Sequence, residues 1–484
     1  MMNNLKNRYL LIPVQVRASI CFLIAAFFQK GIQFITTPIF TRLLSTTEYG
    51  KYNVFLSWFG IFEVIVGLGL NGGIYAQGII KFESKKNAFT SALVGLTILL
   101  VVMWSGFYIL FADGVNEITH LTFNETILMG PLIALNAVLG FWSVDKRSQF
   151  DYKPVVFISI ISAILNPVIS IMLIKYNIDG SYARIIGMFI TALIIDTPIM
   201  FKILFKGRKI CSIEIWKYAL NFNIPLIPHY LSSIILNSSD RIMIEKIVGV
   251  SEAGIYSLAY SVAMIMMMFN SALLQTIEPW LYKKIKERRM NKMPMVAYSS
   301  FIAVALVNML LILFAPEIIR IFSPEEYYDA IYVVPPVAMS VFFSFMYSFF
   351  ATFEFYFEKT KYISFATSIG AVTNIILNYV FINWFGYIAA GYTTLLCFVI
   401  YAIFHYIFMN IIYKDKFEGK QLYDTRIIIL ISLIFVFASF GAMACYISIY
   451  YRLMYLACLF LICFIFRKKI IGSIKFIIDL RSDR

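Results

Sequence analysis

Lys30 stands inside an apolar run, 13 residues after Arg17 and 12 before Arg42. On a helix, Lys30, Gln33, Thr37 and Thr41 recur at i, i+3, i+7 and i+11 and make one polar stripe. His229, Ser233, Asn237 and Asp240 make a matching stripe later in the chain. If these runs cross a bilayer, the ammonium of Lys30 lies ~18 Å along the helix from water, too far to snorkel. A charge at the centre of such a helix costs ~2.5–3.5 kcal/mol on insertion scales, so it faces a wet cavity or a counter-charge. Three readings are open for Lys30: a cation lining a hydrated passage, a buried pair with Glu63 on the next apolar segment, or a helix register placed wrongly; the first two can both hold. Glu63 and Asp240 are candidate ion-coupling groups, because a carboxylate in a low dielectric readily takes up a proton or cation. Asp240 could equally pair with its neighbours.

Other polar residues within apolar runs have blander readings. His229 lies beside Pro225 and Pro228 and could titrate near neutral pH or simply pack. Arg184 and Asp196, three turns apart on one helix, read as packing contacts within a bundle. Glu278 and Glu354 fall nearer the cytoplasmic side, where water is expected to reach them. The stretch "GLGLNGGIYAQG" (67–78) carries five glycines, which permit close helix packing or a hinge.

The elements that position these residues follow from composition. The 484 residues are 61% hydrophobic and 14% charged, with a mean hydropathy of +0.80. A soluble chain carries about 25% charge, so this one lacks the polar surface to be soluble. A spanning helix needs ~20 mostly apolar residues, and about fourteen such segments fit between residues 17 and 466. The second is expected at 52–80, the seventh at 218–240 and the last at 449–466. Alternating strands of a membrane barrel are absent. The fold class read here is an all-α integral membrane protein.

With the N-terminus inside, cytoplasmic segments hold 32 Lys and Arg and outer segments 8. This positive-inside asymmetry places both termini in the cytoplasm. It also explains the net charge of +14 without a nucleic-acid partner. The first apolar stretch has no small-residue cleavage site and is expected to stay as an anchor. The six cysteines form no metal-type pair and the three histidines lie far apart; no metal, cofactor or catalytic residue is expected. Walker, HExxH and GxSxG motifs are missing, so ATP bound to this chain drives nothing. The loops are short, and any function must reside within the bilayer.

Two internal echoes divide the chain. "TRLLSTTEYGKYNVF" (41–55) parallels "DRIMIEKIVGVSEAGIYSLAY" (240–260), pairing Arg42 with Arg241, Gly50 with Gly254 and Tyr52 with Tyr256. "LNPVISIMLIKYNIDGSYARIIG" (165–187) parallels "TNIILNYVFINWFGYIAAGYTT" (373–394). Both are spaced by about 200 residues, as in transporters built from two halves. The expected organisation is two six-helix lobes, 1–210 and 211–415, related by a pseudo-two-fold repeat around a central cavity. Two further helices and a basic tail occupy 416–484.

"FITTPIFTRLLSTTEYGKY" resembles the opening of bacterial polysaccharide flippases of the Wzx type, and "RIFSPEEYYDAIYVVPPVAMSVFF" (320–343) resembles their outer loop and tenth helix. "TNIILNYVFINWFGYIAAGYTTL" (373–395) is similar to their Asn- and Gly-rich pattern at Asn374, Asn378, Gly386, Ala389 and Ala390. Asn383 and Ile388 depart from it. The resemblance covers about residues 15–415. It implies alternating access, in the bacterial inner membrane, to an undecaprenyl-diphosphate-linked oligosaccharide. The expected function is translocation of that unit to the outer leaflet, coupled to an ion gradient, with membrane lipid, a glycan polymerase and a chain-length regulator as partners. Lys30, Gln33, Arg42, His229, Asn237 and Arg241 are the candidate substrate-binding residues. Arg42 and Arg241, at the outer helix ends, would receive the diphosphate or anchor their helices. A small-molecule cation antiporter of the same fold is the first alternative. A membrane glycan polymerase or ligase is the second, and the short loops weigh against it.

Overall fold

The computed structural model describes residues 14–417, 421–465 and 467. The N-terminal 13 residues and the basic tail after Arg467 lie outside the described residues. Among those described, the chain is built of α-helices and short 3-10 turns, with no strand. It divides into two compact units, Met1–Ser238 and Ser239–Arg484.

The first unit holds α1 (Val14–Leu43), α2 (Thr46–Gly67), α3 (Gly73–Lys81), α4 (Lys86–Leu110), α5 (Ala112–Thr119), α6 (Phe123–Ser148), α7 (Tyr152–Lys175), α8 (Gly180–Gly207) and α9 (Ile213–Asn223). The division falls within α10 (Ile227–Ile247). The second unit continues with α11 (Val250–Ala263), α12 (Ile265–Lys286), α13 (Met293–Leu313), α14 (Ala315–Phe322), α15 (Val334–Tyr356), α16 (Thr360–Phe385), α17 (Ala389–Phe417), α18 (Thr425–Ala444) and α19 (Ile449–Ile465).

Among the described residues, eleven segments are long and apolar enough to cross a membrane, and the chain is a multi-pass membrane protein. Three expected spans are built differently. The segment 52–80 is two helices, because α2 stops at Gly67 and Leu68 and Gly69 take positive φ (52° and 63°). The glycines therefore both turn the chain and allow close packing: a Cβ on Gly69 would sit 2.9 Å from the Tyr230 ring. The segment 218–240 is interrupted by a 3-10 turn at Ile224–Leu226 that contains Pro225, whose ring and missing N–H break an α-helix. The segment 449–466 holds a shorter apolar helix, Ile449–Leu461.

Local sequence sets the helix starts. Ser45 and Glu48 form a capping box on α2, and Thr122 and Glu125 form another on α6. The start of α8 is held by two carboxylates: Asp179 accepts from Tyr182 N at 3.0 Å, and Glu48 of α2 accepts from Gly180 N at 2.9 Å. Small residues then let α7 and α8 approach, since any Cβ on Gly187 would overlap Ser170. In the second unit α15 is the central helix, with 89% of its most apolar stretch buried. It packs closely on α17 through Tyr347 and Tyr401, whose ring centroids lie 4.4 Å apart.

Candidate functional site

A buried polar assembly is found in each unit. In the first, α1, α2, α6, α7 and α8 enclose a cavity of about 260 Å³. α1 supplies Gln29, Gln33, Thr36 and Phe40, at i, i+4, i+7 and i+11, which is one helical face. α7 contributes Ser162 and Asn166, and α6 contributes Asn136. α8 contributes Arg184 and Asp196, 12 residues and so ~18 Å apart along the axis. The guanidinium carbon of Arg184 lies 3.9 Å over the Phe40 ring and 3.9 Å over the Tyr52 ring. Its Nε is buried without a hydrogen-bond acceptor, and one carboxylate oxygen of Asp196 is buried without a donor.

In the second unit Asp240 is fully buried. One carboxylate oxygen accepts from Asn378 Nδ2 at 2.5 Å. The other accepts from the Tyr256 hydroxyl at 2.6 Å and the Thr394 hydroxyl at 2.8 Å. Asn378 also donates to Asn374 Oδ1, which takes a second hydrogen bond from Ser239 at 2.8 Å. Thr393 donates to Asn378 Oδ1. Three donors satisfy the charge of Asp240 with no ion-pair partner among the described residues. Among the described residues no group of three or more His, Cys, Asp or Glu could hold a metal ion.

The two assemblies use corresponding repeat positions. Tyr52 and Tyr256, paired by the first echo, contact Arg184 and Asp240 respectively. Asn166 and Asn374, which lie in the two segments of the second echo, line the cavity and join the Asp240 network respectively.

Gln33 lines the cavity. Lys30 is exposed on α1 and is not among the lining residues. Thr37 turns its hydroxyl back to Gln33 O at 2.9 Å, and Thr41 to Pro38 O at 3.3 Å. The face toward the cavity is thus rotated from the expected stripe, with Gln29 and Thr36 in place of Lys30 and Thr37. No Lys30–Glu63 pair forms; Glu63 is half-buried beside Asn136, a cavity residue. Arg42 donates to Pro38 O at 2.8 Å at the end of α1. Arg241 lies over the Tyr260 ring at 4.4 Å. Asn237 donates to Ser233 O at 2.8 Å, and His229 packs on Tyr230 with one ring nitrogen buried. Glu354, expected to be solvated, is fully buried and bonds His405 at 2.7 Å; the α15–α17 contact, invisible in sequence spacing, encloses it. Arg184 and Asp196 are legible in the sequence as intramembrane charges, but nothing there marks them as sharing a cavity.

The chain matches the family described as polysaccharide biosynthesis protein over residues 16–285, and MatE over residues 225–380. It is 23% identical over 419 residues to the probable low-salt glycan biosynthesis flippase Agl15 of Haloferax volcanii, covering 84% of this chain and 86% of that one. It is 24% identical over 308 residues to the succinoglycan biosynthesis transport protein ExoT of Rhizobium meliloti, covering 62% and 60%. Among solved structures, lipid II flippase MurJ in an inward closed conformation superposes with a TM-score of 0.67 at 14% identity, over 93% of this chain and all of that one. An inward-facing multidrug resistance MATE transporter superposes with a TM-score of 0.62 at 14% identity, over 80% and 96%. The two-lobe helical fold is shared with both.

Proposed function

The chain belongs to the polysaccharide biosynthesis protein family, and from that premise we propose that it translocates a polyprenyl-diphosphate-linked oligosaccharide across the cytoplasmic membrane. The observation that carries this reading is the cavity of the first unit. Lipid-spanning helices there turn glutamines, asparagines and an arginine inward, and polar groups are placed in a bilayer only where they face a cavity or one another. A sugar head group cannot cross ~30 Å of hydrocarbon unaided. Its hydroxyls can exchange water for amides and hydroxyls of this kind while the lipid tail stays in the bilayer. No bond is made or broken, so the protein acts as a transporter and not as an enzyme. The names of the glycan-flippase and succinoglycan-transport relatives support the substrate class.

Lys30, Gln33, Arg42, His229, Asn237 and Arg241 remain the proposed substrate contacts. Asp240 is the proposed coupling site, because its network holds one negative charge that a proton or monovalent cation would neutralise. Glu63, beside the cavity residue Asn136, is a second candidate. Cation binding that favours one arrangement of the protein would shift its populations and so drive transport. The match to MatE favours a second reading, export of a small cation.

Deletion distinguishes these readings. Loss of a lipid-linked-oligosaccharide translocator removes the surface glycan and leaves lipid-linked units on the cytoplasmic leaflet. Loss of a small-cation exporter leaves the glycan intact and changes toxin sensitivity. Single-unit glycan on the surface of the deletion strain, with no substitute translocator present, would refute translocation and point to polymerisation.

A further inference from the structure

We infer that the cavity of the first unit is a receptor for an acidic sugar, with the sugar's carboxylate on Arg184 and its hydroxyls on the neighbouring amides. The inference rests on the reading of this chain as an oligosaccharide translocator and adds the charge of the cargo.

Arg184 carries the argument. It lies about one turn from the start of α8, at the end of the cavity that the charge distribution assigns to the outside. An arginine there could reach the interface with its long side chain, yet this one does not. Its guanidinium lies over the rings of Phe40 and Tyr52, 3.9 Å from each, inside the bundle. Its Nε is buried without an acceptor, and among the described residues no carboxylate pairs with it. Aromatic rings take the face of a guanidinium by cation–π attraction. They leave its edge N–H groups, a rigid fork that fits a carboxylate bidentately. The arginine is therefore fixed in place by rings with its donors unspent.

The remainder of the cavity fits a sugar. Gln33, Asn136 and Asn166 line it and offer both donors and acceptors for hydroxyl groups. Its volume of about 260 Å³ is close to the ~300 Å³ lower bound of small-molecule sites. Asp196, 3% exposed and with one oxygen unpartnered, lies on α8 three turns from Arg184, at the other end of the cavity lining. Arg184 at one end and the amides along the wall give the ligand one orientation, its acid toward the outer end and its hydroxyls inward. A diphosphate would use the same fork but would leave the amide wall without partners.

The test uses the purified full-length protein in detergent and reads binding as the shift in melting temperature against probe concentration. The probes are glucuronate, glucose and inorganic pyrophosphate. Glucuronate is expected to bind about tenfold or more tightly than glucose, the worth of one charge-assisted pair, and more tightly than pyrophosphate. R184Q is expected to erase the preference for glucuronate over glucose. R184K is expected to keep part of it, since an ammonium keeps the charge and loses the fork. Equal affinity for glucuronate and glucose, or no binding of either, overturns the inference. Tighter binding of pyrophosphate than of glucuronate also overturns it and assigns the fork to the diphosphate linker. A preference that survives in a folded R184Q does the same. If R184Q fails to fold, the wild-type comparison decides alone. Transport is not read, so failure of the translocation reading is seen separately in the deletion strain.

Discussion

Asn378 on α16 donates its side-chain amide both to Asp240 on α10, at 2.5 Å, and to Asn374 on its own helix, at 3.1 Å. The bond ties two helices of the second unit around a fully buried carboxylate. In Asp240→Asn one oxygen becomes a donor that faces hydroxyl and amide donors. The variant is expected to lose about 1–3 kcal/mol of stability, the penalty of an unmatched buried polar group. Thermal melting in detergent measures this. If Asp240 is the coupling site, transport by the variant also stops responding to collapse of the sodium or proton gradient. Gradient-dependent transport equal to wild type would exclude that role.

Lys30 has no ion-pair partner among the described residues, so its removal leaves no buried counter-charge. Lys30→Ala is expected to accumulate in the membrane at wild-type levels and to lose most translocation activity, whereas Lys30→Arg keeps part of it. Quantitative immunoblotting beside a translocation assay checks both. Loss of Lys30→Ala from the membrane, restored in Lys30→Ala/Glu63→Ala, would show that the two residues depend on each other after all.

The charge asymmetry predicts the orientation. In a cysteine-free background, single cysteines at Glu117 and Glu326, both exposed, are expected to react with an impermeant thiol reagent on intact cells. One at Asn291, also exposed, is expected to react only after lysis. Asn116 is a poorer probe position than Glu117, because its side chain accepts from the Tyr108 hydroxyl at 3.1 Å. Labelling at Asn291 on intact cells would invert the orientation.

Asp179 fixes the start of the helix that carries Arg184. Partial burial opposes its charge. Hydrogen bonds from the Ser181 hydroxyl and Tyr182 N, with Lys51 nearby, outweigh that and hold its carboxyl below the usual range. A carboxylate with a lowered folded-state value contributes stability above the ordinary aspartate range, and that contribution is lost as pH falls through the folded value. Asp179→Ala is expected to remove about 1 kcal/mol at neutral pH, as for other N-caps, and little in strong acid. Melting curves at both pH values measure the difference. An equal loss at both would remove the charge from the explanation.

Much of this protein was determined by sequence alone. Apolar runs and their charged ends dictated an all-helical membrane fold, because only a helix satisfies its own backbone in lipid over ~20 residues. The echoes pair Tyr52 with Tyr256 and the segment of Asn166 with that of Asn374, because repeated residues mark repeated packing. The mid-membrane charges stood out for the same energetic reason that makes them rare. Tertiary structure decided which of them meet. Helical periodicity places residues on a face to within one position, and one position is about 100° of rotation; this is why Gln29 and Thr36 line the cavity with Gln33 while Lys30 does not. Arg184 meets Phe40 and Tyr52, and Asp240 meets Asn378, across more than 130 residues of chain. Contacts of that range depend on how helices cross and which small residues let them approach, which no local pattern encodes.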